Sequence, residues 1–240
     1  MLIAEDLLLL VLEDISGRPV SGVNAFTLDL LLGGALVSEL ALSGAVQLHR
    51  NPGTGMLEVH PTGVGVPEDP CLQRCLTFAG GRPRPVPLIN SCGTQMFDHL
   101  IERLVHQGIL RREQQKRFLI SRTGWPAGDI RYKQDVRRHL AAVLFDSDRG
   151  AHPTRRTATL IGHLAAVGQV HRLFVSPGVP PAYVMQRAYR VSRGDWVAAT
   201  VRGVFRASRT RWGGGGSGGG IGGDWGDGGG GGDGGGDGGG

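Results

Sequence analysis

Lysine is almost missing from this chain. Of its 26 basic residues only Lys116 and Lys133 are lysine, and the rest are arginine. The shortage excludes nucleotide chemistry of the phosphate-loop type, because no Gly-Lys pair occurs anywhere. Cysteine is scarce as well, at three residues: Cys71, Cys75 and Cys92. Their C-x3-C spacing has no suitably placed fourth ligand, so no metal site is expected. An odd count without a secretion signal predicts reduced thiols and a cytoplasmic chain. No H-E-x-x-H helix and no serine elbow between a strand and a helix is present, and the eight histidines are scattered. Neither an enzyme activity nor a cofactor is expected.

Long apolar spans are lacking too. Residues 2–12 and 28–42 are leucine-dense and read as helices. Glu5, Asp6, Glu13, Asp14 and Asp29 break them short of the roughly 20 apolar residues that a bilayer span requires. Helices that are apolar nearly all round belong in a protein core. Glu39, charged inside the second, is therefore expected to be paired or hydrogen-bonded rather than catalytic. Gly33-Gly34 lies within the same helix, where close helix packing accounts for it.

Glycine dominates the other end. Residues 213–240 are almost all Gly with scattered Asp, a composition unable to bury enough apolar surface to offset its ordering entropy. A disordered tail is expected there, and one domain over residues 1–212. The chain's formal charge of +5 includes Asp224, Asp227, Asp233 and Asp237 of the tail, so residues 1–212 carry +9. Arginine favours planar, bidentate partners such as phosphate and carboxylate, so the surplus permits an anionic partner.

Between these ends, a short extended stretch at 45–49 leads into a Gly/Pro-rich loop or irregular hairpin at 51–70. Pro83, Pro85 and Pro87 make 80–88 a loop. Met96, Phe97, Leu100, Ile101, Leu104 and Val105 form the stripe of an amphipathic helix over 95–107, stopped by Gly108. Residues 117–123 read as a strand bounded by Gly124. Helices are expected at 130–145 with Asp129 as cap, at 153–174 with Thr154 near its cap, at 181–189, and at 194–209 with Asp195 in the first turn.

Several of these segments occur in a telling order. Glu39-Leu40-Ala41-Leu42-Ser43-Gly44 is followed by Leu104-Val105-His106-Gln107-Gly108-Ile109-Leu110, and then by helices containing 155–161 and 170–174. This series resembles the Golgi phosphoprotein 3 family in its shorter bacterial form, over nearly all of residues 1–209. The resemblance implies a mainly all-α domain, with helices around a central bundle and one protruding β-hairpin. It also implies a non-catalytic adaptor, peripheral on the cytoplasmic face of a membrane. Such an adaptor binds the phosphatidylinositol 4-phosphate head group and holds protein partners.

The family's head-group pocket uses a Trp before the second helix, an Arg within it, and two Arg on the mid-chain helix. Those positions fall on Asn24, Gly33, Thr94 and Phe97, and none carries the family residue. The basic candidates left for an anionic phospholipid head group are Arg18, Arg82, Arg84 and Arg103. The resemblance also implies a homo-oligomer, formed through the hairpin with Phe118, Leu119, Ile120 and Trp125. Two rival readings stand beside it. Gly108 followed by Ile109-Leu110-Arg111-Arg112 and a basic hairpin also resembles a winged-helix DNA reader, although that module fills under half the chain. The other is a protein–protein interaction module without lipid binding. Nucleic acid is the less expected partner, because a winged helix leaves the leucine-dense start unexplained.

Overall fold

A computed structural model of the protein describes residues 1–117, 120–146 and 152–213. The leucine-dense opening forms two helices. In α1 (Ile3–Val11) every residue is buried, and α2 (Ala25–Leu42) begins three residues before the apolar run. The earlier start comes from Asn24, whose side chain accepts the Thr27 backbone N–H at 2.9 Å and so caps the helix. By length and composition α2 qualifies as a bilayer span, yet 67% of it is buried inside the protein. Its neighbours include α1, α3 (Pro70–Ala79), α4 (Pro85–Gly93), α5 (Met96–His106), α7 (Arg155–Ala166) and α10 (Trp196–Gly213), which makes α2 the axis of the bundle.

The two glycines inside α2 explain how so many helices reach it. A Cβ added at Gly33 would fall 2.0 Å from the Ile89 carbonyl oxygen and 2.7 Å from the Gly93 nitrogen, both on α4. One added at Gly93 would fall 1.9 Å from the Asp29 carbonyl oxygen on α2. Gly34 faces the opposite side, where a Cβ would meet Val201 Cγ2 of α10 at 2.6 Å and His163 Cε1 of α7 at 2.8 Å. Close helix packing accounts for the pair, as expected.

Proline misleads at two places. Residues 80–88 do not form a continuous loop, because Pro85 and Pro87 open α4, where a missing N–H costs nothing. Helix α3 likewise starts at Pro70, capped by Asp69, which accepts the Cys71 N–H at 2.9 Å. The extended stretch at 45–49 is strand β1 (Val46–Arg50), paired antiparallel with β2 (Leu57–Pro61). A second antiparallel pair, β3 (Glu113–Arg117) and β4 (Ile120–Gly124), forms a hairpin as the resemblance implied, but the single strand read over 117–123 is divided between the two strands, Arg117 pairing with Ile120. The protein is thus mainly helical, with two small two-stranded sheets among the described residues, one of them the hairpin that the resemblance implied.

The C-terminal half follows its capping residues closely. Asp129 caps α6 (Ile130–Phe145) and Thr154 caps α7. The helix expected over 153–174 is interrupted by Gly168 at φ 70°, and resumes as the single turn α8 (Val170–Leu173). Then come α9 (Pro181–Val191) and α10, whose first turn is closed by Asp195 Oδ1 accepting the Ala198 N–H at 2.9 Å. The glycine tail beyond residue 213 lies outside the described residues.

Candidate functional site

The acidic residues of the opening helix, Glu5 and Asp6, form the centre of a buried ionic network. Glu5 is fully buried, and Asp6 nearly so. Glu5 accepts the Leu2 N–H at 2.6 Å and lies 3.1 Å from Arg103 Nε, while Arg103 Nη1 donates to Asp69 at 2.7 Å. Asp6 accepts from the Tyr132 hydroxyl and from Arg156 Nη2, each at 2.7 Å. Burial first, and then the Asp6 carboxylate, push the Tyr132 hydroxyl well above its usual pKa. Glu39 accepts the Ile3 N–H at 2.6 Å and pairs with Arg156 Nη1 at 3.2 Å. Its expected structural role is what the geometry shows. Arg103 is likewise spent on the fold, so of the four basic candidates it is the one whose charge does not face an outside ligand.

The four family pocket positions separate by role. Asn24 is an exposed helix cap, and Gly33 is buried beneath α4. Thr94 ends α4, its hydroxyl donating to the Asn90 carbonyl at 2.9 Å. Phe97, half-buried on α5, meets Trp125 edge-on with ring centroids 5.3 Å apart. None of the four residues supplies a guanidinium, and the α2–α4 contact leaves no room for a side chain at Gly33.

Of the hairpin residues, Phe118 and Leu119 lie outside the described residues. Ile120 opens β4 in register with Arg117. Trp125 is turned to an internal task. Besides Phe97, its backbone abuts Gly17, where φ is 62° and an added Cβ would fall 1.9 Å away. Its place is a seam between the α1–α2 loop and α5.

Exposed arginines are found elsewhere. Arg82, at φ 51°, and Arg84 flank Pro83 between α3 and α4, and Arg18 lies half-exposed in the α1–α2 loop. Among the described residues none of these three guanidiniums forms an ion pair, although the Arg82 charge adds to the His60 and Asn51 hydrogen bonds that lower the Glu58 pKa. Helices α9 and α10 meet in a cleft of about 560 Å³, floored by Gly162 of α7 and lined by Tyr189, Arg190, Arg193, Asp195 and Arg202. Gly162 permits the approach, since a Cβ there would come within 2.7 Å of Ser192 Cβ and 3.2 Å of Ala198 Cβ. Sequence reading passed over this cleft. The signal was present as arginines at helical spacing, 187, 190 and 193 and then 202, 206 and 209, but nothing local says that the two stripes converge.

Two pairs of groups with potential catalytic chemistry, Ser38 with His163 and Cys75 with Cys92, are buried. Ser38 Oγ lies 2.9 Å from His163 Nε2, bridging α2 and α7, and the two residues are 3% and 0% exposed, out of a substrate's reach. Burial holds His163 below its ordinary pKa. A hydrogen bond donated by the Cys92 thiol to Cys75, together with burial, raises the Cys92 pKa far above its usual range. No group of three or more His, Cys, Asp or Glu suited to a metal ion occurs among the described residues.

Comparison with known proteins agrees with this architecture. A search of curated proteins returns no match. The family model described as Golgi phosphoprotein 3 (GPP34) matches residues 3–208. That span takes in the Gly-Gly axis of α2, the buried acid–arginine network and the cleft between α9 and α10, and the chain belongs to the Golgi phosphoprotein 3 family.

Proposed function

We propose that this protein is a non-catalytic peripheral adaptor that docks on the anionic phospholipid surface of the cytoplasmic membrane face. The observation that carries the reading is where its surplus charge sits. Residues 1–212 carry +9, a count in which the tail's four aspartates are left out. Arg103 and Arg156 are absorbed by buried carboxylates, whereas none of Arg18, Arg82 and Arg84 forms an ion pair among the described residues. Each such residue at an anionic surface contributes roughly 1 kcal/mol. Recognition is by charge rather than by the stereochemistry of phosphatidylinositol 4-phosphate, since the family pocket positions hold Asn24, Gly33, Thr94 and Phe97. Bidentate, charge-assisted contacts to a monoester are not available from such side chains.

Liposome co-sedimentation tests this. Vesicles containing phosphatidylserine or phosphatidylinositol 4-phosphate at equal charge should bind the protein alike at low salt, and release it as salt rises. Combined R18A, R82A and R84A substitutions should weaken binding by about 3 kcal/mol in total. Failure to bind any anionic vesicle at low salt would overturn the reading. Self-association belongs to the same proposal. The β3–β4 pair is a sheet of only two strands, so it keeps backbone edges for pairing with a second copy. A monomeric mass by light scattering at micromolar concentration would sink that part. The DNA-binding alternative is set aside, because the family match accounts for the leucine-dense start that a winged helix leaves over.

A further inference from the structure

We infer that the cleft between α7, α9 and α10 is a binding site for a phosphate group bearing two negative charges, a phosphomonoester or a diphosphate. Three arginines converge on it: Arg190 from α9, Arg193 from the turn that follows, and Arg202 from α10. Elsewhere arginines with a nearby acid are paired, as Arg103, Arg112, Arg131, Arg138 and Arg156 are. Arg190, Arg193 and Arg202 have no carboxylate partner among the described residues. The single acid in the lining is Asp195, and its Oδ1 is engaged in capping α10 at 2.9 Å from the Ala198 nitrogen. The lining is therefore left with an excess of two positive charges.

Geometry separates this group from ordinary solvated arginines. The Arg202 guanidinium sits 4.7 Å from the centroid of the Tyr189 ring, a cation–π contact that restrains it without using its N–H donors. A guanidinium so restrained presents a fork matched to two oxygens of a phosphate. The floor is small and close-packed, made by Gly162, Ala198 and Ala199. A volume of about 560 Å³ lies within the usual range for ligand pockets. The charge excess matches a dianion better than the single charge of a carboxylate or a phosphodiester. This site is separate from the membrane-docking arginines and stands whether or not the protein docks on a bilayer.

Calorimetric titration of the full chain with inorganic pyrophosphate at low salt tests the assignment. Saturable 1:1 binding is expected. The combined R190K, R193K and R202K variant keeps the charge but loses the forks, and should bind at least about tenfold more weakly, which is the loss of roughly 1.4 kcal/mol. R193E, a single change at an exposed position, should abolish saturation. R18A, R82A and R84A together should leave pyrophosphate binding unchanged while weakening vesicle binding, so failure of one reading is distinguishable from failure of the other. Thermal melts of each variant confirm folding. Absence of saturable binding by the wild type overturns the inference, as does a lysine variant that binds as tightly. Vesicles carrying phosphatidic acid or phosphatidylserine at matched charge identify the source of the phosphate. A preference for phosphatidic acid that the lysine variant loses assigns it to a lipid. Pyrophosphate binding without that preference assigns it to a soluble ligand, and either result supports the site.

Discussion

At the scale of single residues, the buried polar groups show how this fold handles charge. Asp6 and Glu39 are far apart in sequence, yet Arg156 bridges them with one guanidinium while also donating to the Met1 carbonyl at 2.8 Å. Lys133 does similar work, donating to the Leu12 carbonyl at 2.5 Å and pairing with Asp14, and burial lowers its pKa. His163 is the buried group with a consequence near neutral pH. Burial lowers its pKa below the ordinary 6.5. In the window between the two values the unfolded chain binds a proton that the folded chain does not, so stability declines as pH falls below 6.5. One such group contributes a slope of at most about 1.4 kcal/mol per pH unit. His163→Gln should flatten that part of the stability curve, measured by urea unfolding at a series of pH values. An unchanged slope would show that other groups carry it.

At the scale of elements, α2 sets the tolerances of the whole bundle. Gly33 opposes backbone atoms of α4, whereas Gly34 opposes the side chains of Val201 and His163. Side chains turn aside more readily than a helix backbone. Gly33→Ala should therefore cost about 2–4 kcal/mol and Gly34→Ala about 1–2 kcal/mol, both by overpacking. Denaturant unfolding of the two variants gives the order, and a Gly34 variant that is the less stable of the two would contradict it. The elements that could be read from sequence are those whose signals are local. Helix α6 runs over 130–145 as expected, because Asp129 is its cap and its apolar stripe is continuous. Helix α4 was not legible, because its opening prolines carry the same letters as a loop. The break at Gly168 was missed because one glycine inside a periodic run is compatible with either outcome. Strand β2 hides in a Gly/Pro-rich stretch, and its pairing with β1 is visible only once the chain has turned back.

At the scale of the molecule, the positive charge of residues 1–212 and the acid of the tail belong to one electrostatic object. A chain shortened to residue 212 loses four aspartates and rises from +5 to +9. It should bind anionic vesicles more strongly at low salt, with the difference narrowing near 0.15 M, where screening acts over about 8 Å. Equal affinity of the two chains at low salt would show that the tail's charge does not act on the docking surface. The candidate sites were legible to unequal degrees for the same reason of range. That positions 24, 33, 94 and 97 carry no arginine could be read from the sequence alone. That Arg103 would be taken by Glu5 and Asp69 could not, since it depends on three distant segments meeting. The convergence of Arg190, Arg193 and Arg202 is of this second kind.

The backbone contact between Gly33 and Gly93 also limits what descendants of this chain can become. An arginine placed at position 33 would need α4 lifted away from α2 before it had anywhere to point. The intermediate would carry the full packing defect with no bound head group to favour it. An anion pocket at position 33 is thus out of reach of a single substitution, and new anion recognition is easier to gain on surfaces such as that of α9 and α10, where a side chain can change without disturbing the axis.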